Sequence, residues 1–270
     1  MSMIEAWDRQ QEMYIGEREE RFAVLLSAVE WHSELAGTAS PTVVDLCCGP
    51  AAIGERLLRR LPGSRYVGVD IDPVLLELAR QATATFGPHR AEIVEHDVAD
   101  DGWLASAPIG DVDVVCSSTA LHWLSADELD DALGHAFRSL RPGGILLNAD
   151  HLGYADAPSS TSLAGWIAAR DAERAVAGGA VSWHAWWESA RSDARLAPLC
   201  ARRDEVFPPT EAAPDGVDEV EEARASTERR PPLAGFIDAA RRAGFVEVDT
   251  IWQRFDDRIV MAVKAASSAR

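Results

Sequence analysis

The stretch TVVDLCCGPAAIGERLLRRL, residues 42–61, decides the fold class of this chain. Its apolar start, residues 42–46, predicts a buried strand, and apolar residues at helical spacing follow it: Ile53, Leu57, Leu58 and Leu61. A strand, a tight turn and a helix in immediate succession are typical of the ligand-binding edge of an open α/β sheet. The turn itself reads CCGPA, where a nucleotide-binding turn is normally rich in glycine. The kind of ligand that fits this turn is therefore the central question.

Composition narrows the function classes. The chain has 270 residues, 47% of them hydrophobic, and a formal net charge of −18, which argues against nucleic-acid binding because a phosphate backbone needs a basic surface. No apolar run approaches the roughly 18 residues of a membrane span, and the polar, acidic first residues are unlike a secretory signal. We therefore predict a cytoplasmic protein with no membrane partner. The four cysteines lack C-x-x-C spacing, so we expect neither a zinc site nor structural disulfides. We also expect no catalytic metal, because no cluster of His, Asp and Glu has the spacing of metal ligands.

Strand and helix patterns alternate along the first 152 residues. One long helix is predicted over 3–35, and further strands over 65–72, 91–97, 111–118 and 145–150, with helices between them. This alternation predicts a parallel sheet with right-handed crossovers. Two helical stretches and an acidic, Pro-containing segment then fill 153–232. The chain closes with a helix and two strands, 245–255 and 258–264, whose two-residue turn at Asp256–Asp257 makes them antiparallel.

Three ligands compete for the first turn. A phosphate-gripping P-loop would need Gly-Lys-Ser/Thr, and no lysine lies near it. A dinucleotide turn needs G-x-G-x-x-G, but those places hold Cys47, Gly49 and Ala52, whose side chains would obstruct a pyrophosphate. The third option is a ligand without phosphates that lies along the ends of the strands.

Five ordered motifs favour the third option. They are VVDLCCG (43–49), GVD (68–70), EHDV (95–98), DVDVVCSSTALHWL (111–124) and LRPGGILL (140–147). Together with the final hairpin, this pattern resembles the class I S-adenosylmethionine-dependent methyltransferases of the small-molecule type, over nearly the whole chain except 153–232. The resemblance implies a doubly wound, seven-stranded, mostly parallel Rossmann-like sheet of order 3-2-1-4-5-7-6 with a helical insertion after strand five. The first turn departs from the family's G-x-G-x-G, because Cys47 and Ala51 replace two glycines.

The resemblance also implies which residues contact S-adenosylmethionine or its product S-adenosylhomocysteine. These are Asp70 at the ribose; Ile71, Asp97 and Val98 at the adenine; Cys47, Gly49, Asp45 and Ser117 at the methionine end; and Tyr14 and Arg18 from the first helix. Structural alternatives stay open for several of them. Arg18 also suits a surface charge run, Ile71 the sheet core, and Asp45 the stabilisation of its own turn. Asp70 could cap the next helix, although Asp72 before Pro73 already fills that role.

The acceptor side is expected after strands four and five. His122 and His151 are candidate general bases, since an unperturbed histidine titrates near working pH. Trp123 and the insertion's Trp183, Trp186 and Trp187 are candidate walls of an acceptor pocket. The alternatives are a structural loop histidine and tryptophans that form the core of the insertion.

We therefore predict methyl transfer from S-adenosylmethionine to oxygen, nitrogen or carbon of a small molecule. The expected organisation is an N-terminal helical cap at 1–40, a cofactor-binding α/β domain at 41–152 and 233–265, and an acceptor pocket and lid at 153–232. A non-catalytic S-adenosylmethionine-binding protein and an enzyme that forms a modified S-adenosylmethionine remain as alternatives. The sequence leaves the oligomeric state open, with a homodimer among the options.

Overall fold

The fold was analysed in a computed structural model, which describes residues 2–106, 112–207, 227 and 230–267. Most of the acidic segment predicted within 208–230, and Asp111, lie outside these residues. The helices are α1 (Met3–Gln11), α2 (Arg18–Leu35), α3 (Ala52–Arg60), α4 (Pro73–Thr83), α5 (Trp103–Ser106), α6 (Ala126–Ser139), α7 (Pro158–Ala177), α8 (Trp183–Ser192), α9 (Ala197–Val206) and α10 (Leu233–Ala243). The strands are β1 (Thr42–Leu46), β2 (Arg65–Asp70), β3 (Ala91–Glu95), β4 (Val112–Ser118), β5 (Leu140–His151), β6 (Glu247–Arg254) and β7 (Asp257–Val263).

The seven strands form one sheet of order β3-β2-β1-β4-β5-β7-β6, which confirms the predicted fold class. Strands β1 to β5 pair in parallel, and β7 lies antiparallel between β5 and β6. The carboxyl ends of the five parallel strands therefore meet at one edge of the sheet. Ligands of open α/β sheets bind outside that edge.

Each face of the sheet buries its own hydrophobic cluster. One cluster, which includes Leu46, Val115 and Leu146, packs against α6 and α10. The other includes Val43 and Cys116 and packs against α2, α3 and α4. Successive residues of a strand point to opposite faces, so side chains two apart on β4 or β5 share a face.

Several predicted boundaries are wrong. The single helix over 3–35 is two helices, because a loop around Gly16 packs so closely on Asp171 that a side chain there would collide with it. The described part of the insertion holds three helices rather than two helical stretches, because α8 ends at Ser192, where the side chain of Asp193 accepts the N–H of Arg195. Strand β5 begins at Leu140 rather than 145, with a register shift on the facing end of β4. The final hairpin turns one residue early, at 255–256.

The insertion helices lie along the carboxyl edge of the sheet. Helix α7 is tied to β6 by the Asp171–Arg254 ion pair, with Nη1 and Oδ2 2.6 Å apart. Helix α9 reaches the start of α4, where Nε of Arg203 lies 2.6 Å from Oδ2 of Asp72. No helix in the described ranges is long and apolar enough to cross a membrane.

Candidate active site

The turn after β1 is held in an unusual backbone conformation. Cys47, Gly49 and Ala51 all have positive φ angles, of 54°, 53° and 63°. Only glycine adopts this left-handed region freely, and other residues pay roughly 1–2 kcal/mol there. The side chains of Cys47 and Ala51, which stand where glycine is usual, are small, and this limits the energetic cost. The space above Gly49 is open, since a Cβ placed there would meet nothing within 4 Å.

Asp70 at the end of β2 organises this turn. Its Oδ2 accepts the N–H of Gly49 at 2.7 Å, and its Oδ1 accepts the N–H groups of Ile71 at 2.7 Å and Asp72 at 2.9 Å. A carboxylate has about four acceptor directions, so one remains for a ligand hydroxyl. Burial raises the pKa of Asp70 to about 6, although the three N–H bonds act in the opposite direction. Asp72, as predicted, caps α4 by accepting the N–H of Val74.

The residues predicted at the adenine follow β2 and β3 on the same edge. Ile71 and Asp97 are half-buried, and Oδ1 of Asp97 accepts the N–H of Ala99 at 2.9 Å. Val98 is buried in the core, and its carbonyl accepts the indole N–H of Trp103 at 3.3 Å. Ile71, Asp97 and Val98 therefore lie at the same edge of the sheet as the turn after β1.

Asp45 lies beneath the turn rather than on its surface. It is 1% exposed, its Oδ2 accepts the hydroxyl of Tyr66 at 2.9 Å, and its Oδ1 has no partner. Burial raises the pKa of Asp45 to about 7. Ser117 is likewise buried and donates its hydroxyl to the carbonyl of Leu46 at 2.8 Å. Both side chains brace the strand ends in this structure.

The two predicted residues near the N-terminus are engaged with protein groups. Tyr14 lies in the loop between α1 and α2. Arg18 pairs with Asp8 of α1, with Nη1 and Oδ1 2.7 Å apart, and its guanidinium stacks on the ring of Phe22. Burial lowers the pKa of Arg18. Arg18 is thus no surface charge, and its carboxylate partner comes from the chain itself.

Sequence analysis missed Arg21, which is fully buried one turn further along α2. Its Nη1 lies 2.7 Å from Oδ1 of Asp257, and its Nη2 donates to the hydroxyls of Ser118 and Thr119 at 2.9 and 2.5 Å. Thr119 has a φ of 56°, which is rare for a β-branched residue. Arg21 therefore holds the end of β4 in the strained conformation from which the chain turns toward His122. The sequence offered no signal beyond an arginine three residues after Arg18.

His122 forms a dyad with Asp150 at the ends of β4 and β5. Its Nδ1 lies 2.7 Å from Oδ1 of Asp150, and its backbone N–H donates to Oδ2 at 3.1 Å. Because a carboxylate only accepts, Nδ1 carries the proton, and the lone pair of Nε2 points away from Asp150. Asp150 is fully buried, while the His122 side chain is partly exposed. Asp150 thus fixes the tautomer and the orientation of the His122 imidazole.

His151 has a different environment from His122. Its Nε2 donates to the carbonyl of Tyr14 at 3.1 Å, and its Nδ1 is buried without a partner. Burial, together with Arg230 and Arg21, lowers the pKa of His151 well below its usual value. It is therefore a neutral linker between β5 and the N-terminal segment, and a weak base.

The four predicted acceptor-binding tryptophans separate into two groups. Trp123 is 81% exposed and its ring lies 4.8 Å from that of His122, so it stands free beside the dyad. Trp186 and Trp187 are 1% and 7% exposed and pack in a cluster with Trp7 of α1. Trp183 is half-exposed at the edge of that cluster. The structure thus gives Trp186 and Trp187 a packing role in the core of the insertion, the alternative that the sequence left open.

Helix α7 of the insertion closes a small cavity of about 20 Å³. The lining of this cavity includes Tyr14, His151, Ala164 and Arg254. Within residues 2–106, 112–207 and 230–267, no three His, Cys, Asp or Glu side chains are placed to hold a metal ion.

Comparison with known families identifies this edge. Residues 43–144, which run from β1 into β5, match the family model described as a methyltransferase domain. The match covers the turn, Asp70 and the dyad residue His122. The chain contains a class I S-adenosylmethionine-dependent methyltransferase domain.

Similar proteins carry the same domain. The chain is 34% identical over 140 residues to trans-aconitate 2-methyltransferase of Azoarcus sp. strain BH72, covering 52% of this chain and 49% of the relative. It is 30% identical over 114 residues to malonyl-[acyl-carrier protein] O-methyltransferase of Prosthecochloris aestuarii, covering 42% and 40%. The chain thus spans less than half the length of these curated relatives.

A solved structure shares the fold of the methyltransferase domain. It is an O-methyltransferase family protein from Burkholderia thailandensis, with a TM-score of 0.51 and 18% identity, covering 84% of this chain and 52% of that one. The likeness extends beyond the segment that matches the family model. It therefore supports the fold of the chain as a whole.

Within the methyltransferase domain, the sheet brings together what the sequence keeps apart. Asp70 accepts the N–H of Gly49 in the turn that also holds Cys47, and His122 follows the neighbouring strand, β4. Asp150 was not predicted as a site residue. An acid at the end of β5 was visible in the sequence, but its pairing with His122 needed the parallel register of β4 and β5.

Proposed function

We propose that this chain transfers a methyl group from S-adenosylmethionine to a small-molecule acceptor, with His122 removing the acceptor's proton. The observation that carries the proposal is the His122–Asp150 dyad, one strand away from the open turn of a methyltransferase domain. A domain that only bound the cofactor would have no need of an imidazole oriented by a buried acid. The dyad thus favours an enzyme over a non-catalytic sensor.

The turn fits the proposed cofactor. The open space above Gly49 leaves room for the methionine end, and the remaining acceptor direction of Asp70 suits a ribose hydroxyl. Ile71, Asp97 and Val98 follow in the order expected for the adenine. Tyr14 and Arg18 would cover the methionine end only if their present contacts changed.

The proposed step uses few protein groups. Bound S-adenosylmethionine supplies a sulfonium methyl, so the acceptor's lone pair forms the new bond while the methyl–sulfur bond breaks and leaves its electrons on sulfur. Nε2 of His122 takes the proton that an acceptor hydroxyl or ammonium group loses. Asp150 stabilises the imidazolium that results, because it already accepts from Nδ1. Alignment and exclusion of water supply the rest of the rate enhancement.

A small acceptor suits the surroundings of the dyad. Trp123 offers an exposed indole face beside His122, and the net charge of −18 disfavours a nucleic-acid substrate. Two relatives named above are a trans-aconitate 2-methyltransferase and a malonyl-[acyl-carrier protein] O-methyltransferase, and this chain covers 49% and 40% of their lengths. We assign residues 1–40 to a cap, 41–152 and 233–265 to the cofactor-binding domain and 153–232 to the acceptor side. The four cysteines are free, and three of them are buried, which supports a reducing compartment such as the cytoplasm.

Calorimetry and a turnover assay test this proposal. We expect binding of S-adenosylmethionine and S-adenosylhomocysteine but not of NAD. Incubation of the protein with methyl-labelled cofactor and metabolite extracts should then transfer the label, and His122→Gln should abolish the transfer while cofactor binding persists. Binding of NAD with neither sulfur ligand would overturn the cofactor assignment. Undiminished transfer by His122→Gln would remove the assigned base.

A further inference from the structure

Asn148 is the most unusual polar residue near the dyad. It is 0% exposed, and neither its amide nitrogen nor its amide oxygen has a hydrogen-bond partner. In the sheet it pairs with Ser117 of β4 and Val260 of β7. Buried amides that lack every partner are rare in folded proteins and require an explanation. The mechanism above makes no use of this one.

Arg258 is a second anomaly on the same face. It is 3% exposed, and its Nη1 donates to the carbonyls of Leu152 and Gly153, but its Nε–H is buried without a partner. Burial lowers the pKa of Arg258, although Tyr154, Asp256 and Asp257 act in the opposite direction, and its guanidinium stacks on the ring of Tyr154 at 4.8 Å. Over the part of the chain that the structure describes, Arg258 forms no ion pair with a carboxylate. The nearby acids Asp256 and Asp257 are already paired with other arginines.

Strand geometry brings these groups to the dyad. Asn148 and Asp150 are two residues apart on β5, so they share a face about 7 Å apart. Arg258 lies directly opposite Asp150 on β7, at a Cα separation of roughly 5 Å, and so shares that face as well. His122 is bonded to Asp150. Asn148 and Arg258 therefore lie close enough to His122 for one small molecule to contact all three residues.

We propose that Asn148 and Arg258 form a subsite that holds a carboxylate of the methyl acceptor. The Nε–H of Arg258 and the amide N–H groups of Asn148 are donors, which an acid's two oxygens satisfy together. The amide oxygen of Asn148 accepts from a hydroxyl or amine of the same molecule. The acceptor class is then a small acid that also carries a hydroxyl or amino nucleophile. Its binding requires the chain at Leu152–Gly153, which covers Arg258, to move.

A purely structural role explains less of what is observed. Arg258 could serve only to connect β7 to the start of the insertion, and this role accounts for its Nη1, which donates to two backbone carbonyls. It leaves Nε of Arg258 and both ends of the Asn148 amide without a purpose. One carboxylate satisfies the donors of both residues at once, and the neighbouring base gives that ligand a reaction.

The test compares acids with uncharged analogues of the same shape. A panel of hydroxy and amino acids, each paired with its primary amide, is titrated by calorimetry into protein saturated with S-adenosylhomocysteine. We expect at least one acid to bind tenfold or more tightly than its amide. Asn148→Leu and Arg258→Met should each reduce that preference at least tenfold, and Arg258→Lys should restore part of it, while affinity for S-adenosylhomocysteine stays within twofold.

Arg141→Met is the matched control. Arg141 lies on the same strand at its opposite end, paired with Asp113 at 2.8 Å, so its loss should leave the preference intact. The subsite is refuted if no acid in the panel outbinds its amide, or if Asn148→Leu, which keeps the shape of the side chain, preserves the preference. This inference rests on the proposed function, but the two fail differently. Absence of S-adenosylhomocysteine binding defeats the function, whereas methyl transfer to the uncharged amides with no preference for acids defeats only the subsite.

Discussion

Replacing Asn148 by leucine should make the protein more stable. Leucine has the same branching as asparagine, so the strand and its pairing with Ser117 and Val260 can persist. Each buried polar group without a partner costs about 1–3 kcal/mol, and Asn148 presents two of them, Nδ2 and Oδ1. Removing these two groups therefore stabilises the protein, but the methyl groups of leucine are larger, and overpacking cancels part of the gain. We expect a net increase in the free energy of unfolding of about 1–3 kcal/mol.

Urea denaturation of the ligand-free protein, followed by tryptophan fluorescence, measures this change. The midpoint should rise at an unchanged slope, and the melting temperature should rise by about 2–4 °C for each kcal/mol. Asn148→Val should also stabilise the protein. Because valine is smaller than leucine, this variant separates the gain from removing the unpaired polar groups from the loss through overpacking. Asn148→Asp should destabilise, because it buries an unpaired charge.

The opposite result would refute the reasoning about Asn148. If both Asn148→Leu and Asn148→Val lose 1 kcal/mol or more, the amide must bond a buried water and belong to the framework of the protein. A gain in stability combined with weaker binding of acids is the signature of a polar group kept for function.

Four further outcomes follow from the site. Asp150→Asn should lower kcat by about 100-fold or more without changing the Kd for the cofactor, which single-turnover assays and calorimetry measure. Asp70→Ala should weaken cofactor binding at least about tenfold in calorimetry, since the ribose and the turn both lose an acceptor. Trp186→Ala should cost about 3–5 kcal/mol of stability in urea, whereas Trp123→Ala should change stability by less than about 0.5 kcal/mol and raise the KM for the acceptor. Because the pKa of Asp45 is raised to about 7, the folded state holds a proton that the unfolded state releases near pH 4, and stability falls as pH rises between these values. Asp45→Asn should therefore gain stability over the wild type by up to about 4 kcal/mol at pH 8 and by little at pH 4.

The alternation of strands and helices could be predicted because it is a local pattern, whereas the order of the strands followed from the resemblance of the five motifs to a known family. Strand and helix periods alternate, and right-handed crossovers leave few topologies. Asp45 and Asp70 stand beside the turns that follow β1 and β2 in the sequence itself, so both could be proposed as site residues. Local patterns do not report direction, however, and Asp45 proved to point beneath the turn toward Tyr66.

The acceptor side was decided only by the tertiary structure. His122 and Asp150 are 28 residues apart, and only the parallel pairing of β4 with β5 closes the distance between them. Asn148 and Arg258 look like ordinary strand residues until the sheet shows them buried and unsatisfied on one face. The sequence by itself determined the fold class, because the periods of strands and helices are local patterns, and it directed the cofactor prediction to the turns that follow the strands. The base, its partner and the unsatisfied groups beside them depend on burial and on contacts across strands, which only the folded chain brings about.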